Sequence, residues 1–328
     1  MRTNFSIGLA AIILCACGGG GGDSGGGPVT GGPLALNSGN YVTAAQETMS
    51  VTFYMDGSGG LVTGAQAGSA PHLLRNALAN ARRMGHWLEL APQSVTGATI
   101  TTSESCSGGG SVSLSINDAN GNGVVDVGDS IRLVALNCVE QGETMSGAMS
   151  VTVTASSGSA SSGGNYSMGM GITLENFSSR SATGVSTGNG RMDFTETQAG
   201  STLTTIVQAR SVSVVNTIGN ASSTRSLSDY TVQSVTTTTA GVESVSLSVN
   251  GTFSSTALDG KSLTVSTLRP FVSTASSIYP TSGQFQVTGA AGSNLRLTAQ
   301  AANVLIELDA DGNGSFETSI TKPWSQLL

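Results

Sequence analysis

Residues 118–129 read Asp-Ala-Asn-Gly-Asn-Gly-Val-Val-Asp-Val-Gly-Asp, which sets Asp118, Asn120, Asn122, Asp126 and Asp129 at the first, third, fifth, ninth and twelfth places of one short stretch. Side-chain oxygens at that spacing suit a hard cation such as Ca2+. The same residues can instead close an Asx-rich turn on themselves, with carboxylates and amides accepting backbone N–H groups. Near the C-terminus, Asp309, Asp311, Asn313, Ser315 and Glu317 repeat the first nine places, but Ile320 stands where the last carboxylate belongs. This second loop is expected to hold Ca2+ more weakly, or to be only the turn between two strands.

Two cysteines, Cys106 and Cys138, bracket the first loop, with eleven residues before Asp118 and eight after Asp129. Gly108, Gly109 and Gly110 can absorb the difference, so zipping the flanking segments into a hairpin brings the two sulfurs together at its open end. An exported chain meets the oxidising compartment in which a disulfide persists. A zinc pair is disfavoured, because two thiols without a nearby histidine lack the remaining ligands. The chain's two histidines, His72 and His86, fall in one helical pattern about 21 Å apart at 1.5 Å per residue and cannot share a metal through it. No serine sits in a nucleophile elbow, and no phosphate-binding glycine pattern follows a strand. The expectation is that the chain is not an enzyme.

The first acidic stretch resembles the calcium loop of EF-hands and dockerins. It departs from the EF-hand at Asp129, where that loop carries Glu, and from both in its flanks, which read as strands rather than helices. What the resemblance implies is a calcium-bound hairpin loop, in which the glycine at the sixth place allows the sharp turn and the seventh residue, Val124, gives its carbonyl. At the other end of the chain, Arg2 precedes an apolar run over residues 5–14, too short for a bilayer span that needs about 20 apolar residues, and Leu14-Cys15-Ala16-Cys17 closes it. Those four residues resemble the lipobox of bacterial lipoproteins. The match implies a signal peptide over residues 1–16, cleavage before Cys17, and lipidation of Cys17; Cys15 is the rival acceptor but has poor small-residue neighbours. Residues 17–33 then read as the lipidated cysteine and a glycine-rich tether with a reach of roughly 20 Å. Gly18, where the family's inner-membrane retention signal is Asp, implies the outer membrane, with the leaflet open. Together, lipobox, cysteine-bracketed acidic hairpin and terminal Asp-Gly-Asn-Gly turn resemble proteobacterial lipoproteins, a resemblance that brings no activity with it.

Residues 34–328 must position these groups. Charged residues are only 10% of the chain and glycine numbers 45, while Ser, Thr and Val abound, which suits short strands better than helices. At 38% hydrophobic the chain can nonetheless bury a core. A net charge of −7 excludes a phosphate-led nucleic-acid partner. From residue 94 onward apolar residues alternate with Ser, Thr or Arg, as in Val112-Leu114-Ile116, Met149-Val151-Val153 and Val245-Leu247-Val249. That period of two means strands with one buried face. Pairs such as Asn189-Gly190, Asn250-Gly251 and Asp259-Gly260 read as hairpin turns. The fold class is mainly β: a large antiparallel meander forming a curved sheet, barrel or sandwich, with one or two N-terminal helices. One helix is predicted over about residues 70–88, where Leu74, Leu78, Ala81 and Leu88 line a face flanked by Leu73, Ala77 and Met84. Residues 41–54 are ambiguous, helical at the start and strand-like from Val51 to Tyr54. Two functions stay open. One is a cell-envelope structural or interaction module, stabilised by Ca2+ and held to the lipid bilayer through acylated Cys17. The other is a carrier that holds a lipid or other apolar ligand in a curved sheet closed by the helix.

Overall fold

The alternating pattern assembles into one sheet. In the computed structural model, which describes residues 31–55, 73, 77, 78, 81, 100–122, 126–140, 142–158, 164–182, 184–274 and 277–328, fourteen strands pair in strict sequence order and every pair is antiparallel. They are β1 (Ile100–Ser105), β2 (Ser111–Asn117), β3 (Ser130–Glu140), β4 (Glu143–Gly158), β5 (Tyr166–Arg180), β6 (Val185–Ala199), β7 (Thr202–Ile218), β8 (Ala221–Thr239), β9 (Val242–Ser255), β10 (Ser262–Thr274), β11 (Ser282–Thr288), β12 (Asn294–Ala299), β13 (Asn303–Asp309) and β14 (Thr318–Pro323). The meander is not closed: β1 and β14 are its two edges. Of the three expected forms the chain therefore takes the curved sheet, neither barrel nor sandwich.

Kinks in the strands produce the curvature. Asn137 in β3, Asn176 in β5 and Asp229 in β8 adopt positive φ at the sites where the register slips by a residue. Glycines with positive φ face them: Gly110 and Gly147 lie against Asn137 and Asn176 respectively, and Gly251 lies against Asp229 and Tyr230. Gly190 against Ser211 and Gly283 against Pro270 extend the series through β6–β7 and β10–β11. The line crosses the sheet diagonally. Each bulge adds a residue on one strand, bends it and increases its twist. Each also resets the inward alternation, so that Ala135 and Cys138, Leu174 and Phe177, Ala209 and Val212, and Leu227 and Tyr230 are all buried although three residues apart.

Two of the predicted turns are these kinks. Asn189-Gly190 lies inside β6 and Asn250-Gly251 inside β9, whereas Asp259-Gly260 does form a turn, both of its residues at positive φ. The dipeptide signals a positive φ correctly, but a bulge needs that conformation as much as a hairpin does.

Helix α1 (Tyr41–Tyr54) lies in the curl. It touches β8 through Thr52 Oγ1 and Tyr230 Oη, 2.8 Å apart, and through the Glu47–Arg225 ion pair. It also packs on β12 and β13 and on the chain end, where Phe53 meets Trp324 edge-on at 5.9 Å. Strands β8 and β13, five steps apart, would stand about 24 Å from each other in a flat sheet. One helix of about 10 Å diameter can reach both only if the sheet wraps it. The strand alternative at Val51 to Tyr54 is overturned: these residues are helical, and Val51 and Phe53 are buried inside the curl. Thr48 and Thr52 donate to the carbonyls of Ala44 and Thr48 one turn earlier, which places their hydroxyls without a partner outside the helix being needed. Tertiary burial here outweighs β-branched propensity.

In the predicted helix at 70–88, the described residues Leu73, Ala77, Leu78 and Ala81 are helical and buried in the same core cluster. Leu74, Met84, Leu88 and both histidines lie outside the described residues, as do residues 1–30, which include Cys15, Cys17, the expected signal peptide and most of the expected tether. The described chain enters the sheet at Gly31. Gly31 N donates to Gly260 O, Leu34 N to Ser262 O, and Ala290 N to Leu34 O. The turns β1–β2, β3–β4, β5–β6, β7–β8, β9–β10, β11–β12 and β13–β14 lie at this end of the sheet, the entry end, and the other six at the far end.

Candidate metal centres

The two acidic loops sit at opposite ends of the sheet. Residues 118–129 join β2 to β3 at the far end; residues 309–317 join β13 to β14 at the entry end. Hairpin registers hold each in place, Asn117 opposite Ser130 and Leu308 opposite Thr318.

In the first loop the predicted residues do gather, largely on one another. Asn120 and Asn122 both donate from Nδ2 to Asp126 Oδ2, each at 2.7 Å. Asp118 Oδ1 accepts Gly121 N, and Asn120 Oδ1 accepts Asn122 N. Asp129, the expected last ligand, is buried and serves as a clasp: Oδ1 accepts Ala119 N at 2.9 Å and Oδ2 accepts Asp126 N at 2.8 Å. Val124 lies outside the described residues. One atom is left over, Asp126 Oδ1, which is buried without a hydrogen-bond partner. A buried carboxylate oxygen with no donor is costly, and a cation is one way to satisfy it. The convergence of two amides and a carboxylate on one point fits a small cation if the amides present oxygen, which the side chain can do by turning over.

Carboxylates converge in the second loop. Oxygens of Asp309, Asp311 and Glu317 all lie within 4.8 Å of one another, the only all-carboxylate group of three among the described residues. Asp309 is buried and accepts the N–H groups of Gly312 and Asn313 on Oδ1 and of Gly314 on Oδ2. Asp311 takes Asn313 N and Nδ2, Asn313 Oδ1 takes Ser315 N, and Glu317 Oε2 takes Ala310 N. Three negative charges this close repel one another, and Ca2+, which takes carboxylate oxygens in flexible geometry, would relieve that repulsion. Spacing alone ranks this loop second because Ile320 replaces the terminal carboxylate. The geometry shows that Glu317 already folds back onto Asp309.

The cysteines meet as the hairpin arithmetic requires. Cys106 lies in the β1–β2 turn and Cys138 on β3, with Sγ–Sγ 2.00 Å and Cα–Cα 5.4 Å. The glycine run builds that turn: Cys106 N donates to Gly110 O, Gly108 N to Val139 O, and Val139 N to Gly109 O. Glu140 completes the clasp, accepting Ser107 N at 2.7 Å and Ser107 Oγ at 2.8 Å. Those bonds hold its carboxyl below the ordinary carboxylate range. Although Glu140 lies beside both sulfurs, a bonded pair has no thiolate to offer a metal.

Several residues that fix the interior carry no motif. Trp324 is fully buried, donates Nε1–H to Gln300 O at 2.9 Å, and packs against Phe53, Phe271 and Tyr279. Tyr230 is fully buried, and the loss of solvent pushes its phenol pKa up. Glu47 pairs with Arg225 through two bonds, at 2.9 and 3.0 Å. Their one sequence signal is rarity, since an aromatic or charged residue in a Ser/Thr-rich strand stands out, but nothing local names the partner. No family model, curated protein or solved structure gives a significant match to this chain.

Proposed function

We propose that this chain is a lipid-anchored protein of the cell envelope whose β domain is a structural or interaction module, stabilised by Ca2+ and by the Cys106–Cys138 bridge. The observation that carries the module reading is the content of the curl. On α1, Tyr41, Ala44, Ala45, Glu47, Thr48, Met49, Val51, Thr52 and Phe53 are buried, about two thirds of the way round the helix, while Gln46 is exposed and Thr43 and Ser50 are half-buried on the remaining side. Leu73, Ala77, Leu78 and Ala81 belong to the same core cluster. The chain's own side chains thus occupy the concave apolar face that a carrier would offer its ligand. Polar ties hold α1 in place, Glu47 to Arg225 and Thr52 to Tyr230, so withdrawing it would leave a charge and a phenol buried without partners.

The anchor reading rests on the lipobox-like Leu14-Cys15-Ala16-Cys17. One acyl chain binds a membrane only marginally, and several make a stable anchor. Expressing the full-length precursor in a Gram-negative host with labelled palmitate tests it. We expect label on the wild type and the Cys15→Ala variant, none on Cys17→Ala, and sedimentation with the outer membrane. An unlabelled wild type would sink the anchor. For the module reading, a fluorescent fatty acid titrated into the purified protein should show no saturable site; stoichiometric binding would replace module by carrier.

A further inference from the structure

We propose that the entry end of the sheet faces the bilayer and that the far end, with the 118–129 loop, points away from it. This rests on lipidation of Cys17. Gly31 enters the sheet at one end, and a short covalent span joins it to Cys17. Gly31 is bonded to Gly260, and Pro33 bridges Ser262 in the β9–β10 turn. Leu34 is bonded in turn to Ala290 in the β11–β12 turn. The chain therefore leaves the domain at the entry end. Thirteen residues lie between Cys17 and Gly31, a span of about 50 Å at full extension and about 20 Å on average for a glycine-rich coil. Strand β9, with 14 residues, sets the two ends about 46 Å apart. An average tether brings the entry end near the headgroups and leaves the far end more than a strand length beyond them.

Both ends are acidic, the far end through Asp118, Asp126 and Asp129, so charge does not select the end that faces the bilayer but bears on how the entry end meets it. At the entry end Glu140, Glu143, Asp259, Asp309, Asp311 and Glu317 outnumber Arg180 and Lys261. An acidic face opposite an anionic membrane is held off rather than adsorbed, and the repulsion is screened within about 10 Å at 0.1 M salt. The entry end thus approaches the bilayer through the anchor and without binding it.

The test uses the full-length, lipidated protein reconstituted into vesicles whose headgroups carry an energy-transfer acceptor. Donor dyes are placed on Lys261→Cys at the entry end or Val242→Cys at the far end, both exposed positions. The donor at 261 should lose most of its emission and the donor at 242 should keep most of it. Equal loss from both, or greater loss at 242, would overturn the orientation while leaving the anchor standing. If the wild type fails to float with vesicles and behaves like Cys17→Ser, anchor and orientation fall together.

Discussion

Gly190 has φ of +122°, and a methyl group there would overlap the Ser211 carbonyl oxygen of the neighbouring strand. Gly241, in the β8–β9 turn, has φ of +79° with nothing near the place of an added Cβ. The two positions separate backbone strain from steric overlap. Gly241→Ala should cost about 1 kcal/mol, the penalty of a left-handed residue. Gly190→Ala should cost about 3 kcal/mol or more, because β7 must also shift. Chemical denaturation of both variants checks this, and equal losses would mean that the kink is not tightly packed. At this scale the sequence was informative about conformation and silent about context. Asn189-Gly190 announces a positive φ, but only the residue across the ladder decides whether the chain turns or merely bends. For the same reason the reciprocal bonds of Asn176 and Asn189 across β5 and β6, N to Oδ1 at 2.7 Å and Nδ2 to Oδ1 at 3.1 Å, have no local signature.

Among the elements, the β1–β3 unit and α1 show what periodicity can and cannot supply. Alternation and the spacing of Cys106 and Cys138 were enough to pair β2 with β3 and to join the sulfurs, since hairpin contacts are local. With a sequence separation of 32, loop closure by the disulfide should stabilise the fold by about 3–4 kcal/mol. The Cys106→Ala, Cys138→Ala double variant should unfold at correspondingly lower denaturant. Beside the bridge, Glu140 bonds Ser107 as a carboxylate and so has a lowered pKa in the fold. Its contribution is complete above its unfolded value, about 4.3, and is lost as pH falls through the lowered one. Acid titration of Glu140→Gln should therefore show a shallower loss of stability below pH 4 than wild type, and an unchanged slope would remove Glu140 from the account. Helix α1 was only half legible because its neighbours, Arg225, Tyr230 and Trp324, lie far along the chain. Glu47→Ala should cost about 2–3 kcal/mol by leaving Arg225 unpaired in a largely buried position, whereas Glu47→Leu with Arg225→Leu should recover much of it.

For the whole molecule, the two acidic loops at opposite ends of one cooperative sheet make Ca2+ a reporter on global stability. A ligand that binds only the folded state raises stability by RT ln(1 + [L]/Kd), about 2.7 kcal/mol at a hundredfold excess over Kd. The full-length protein should therefore unfold at a higher temperature in Ca2+ than in chelator. Loop-specific variants apportion the gain. Asp309→Asn keeps an acceptor for the loop's backbone N–H groups but removes one of three converging carboxylates, so the quantity compared is the Ca2+-dependent increment and not the baseline stability. Asp126→Asn makes the equivalent change at the oxygen left unpartnered in the first loop. Because three carboxylates converge only in the second loop among the described residues, Asp309→Asn should abolish more of the increment than Asp126→Asn. The opposite order would restore the ranking that spacing suggests, with the terminal Asp129 outweighing the convergence at Glu317. If wild type unfolds identically in Ca2+ and in chelator, both loops are self-satisfied Asx turns, and the disulfide and α1 reinforce the sheet without help from a metal.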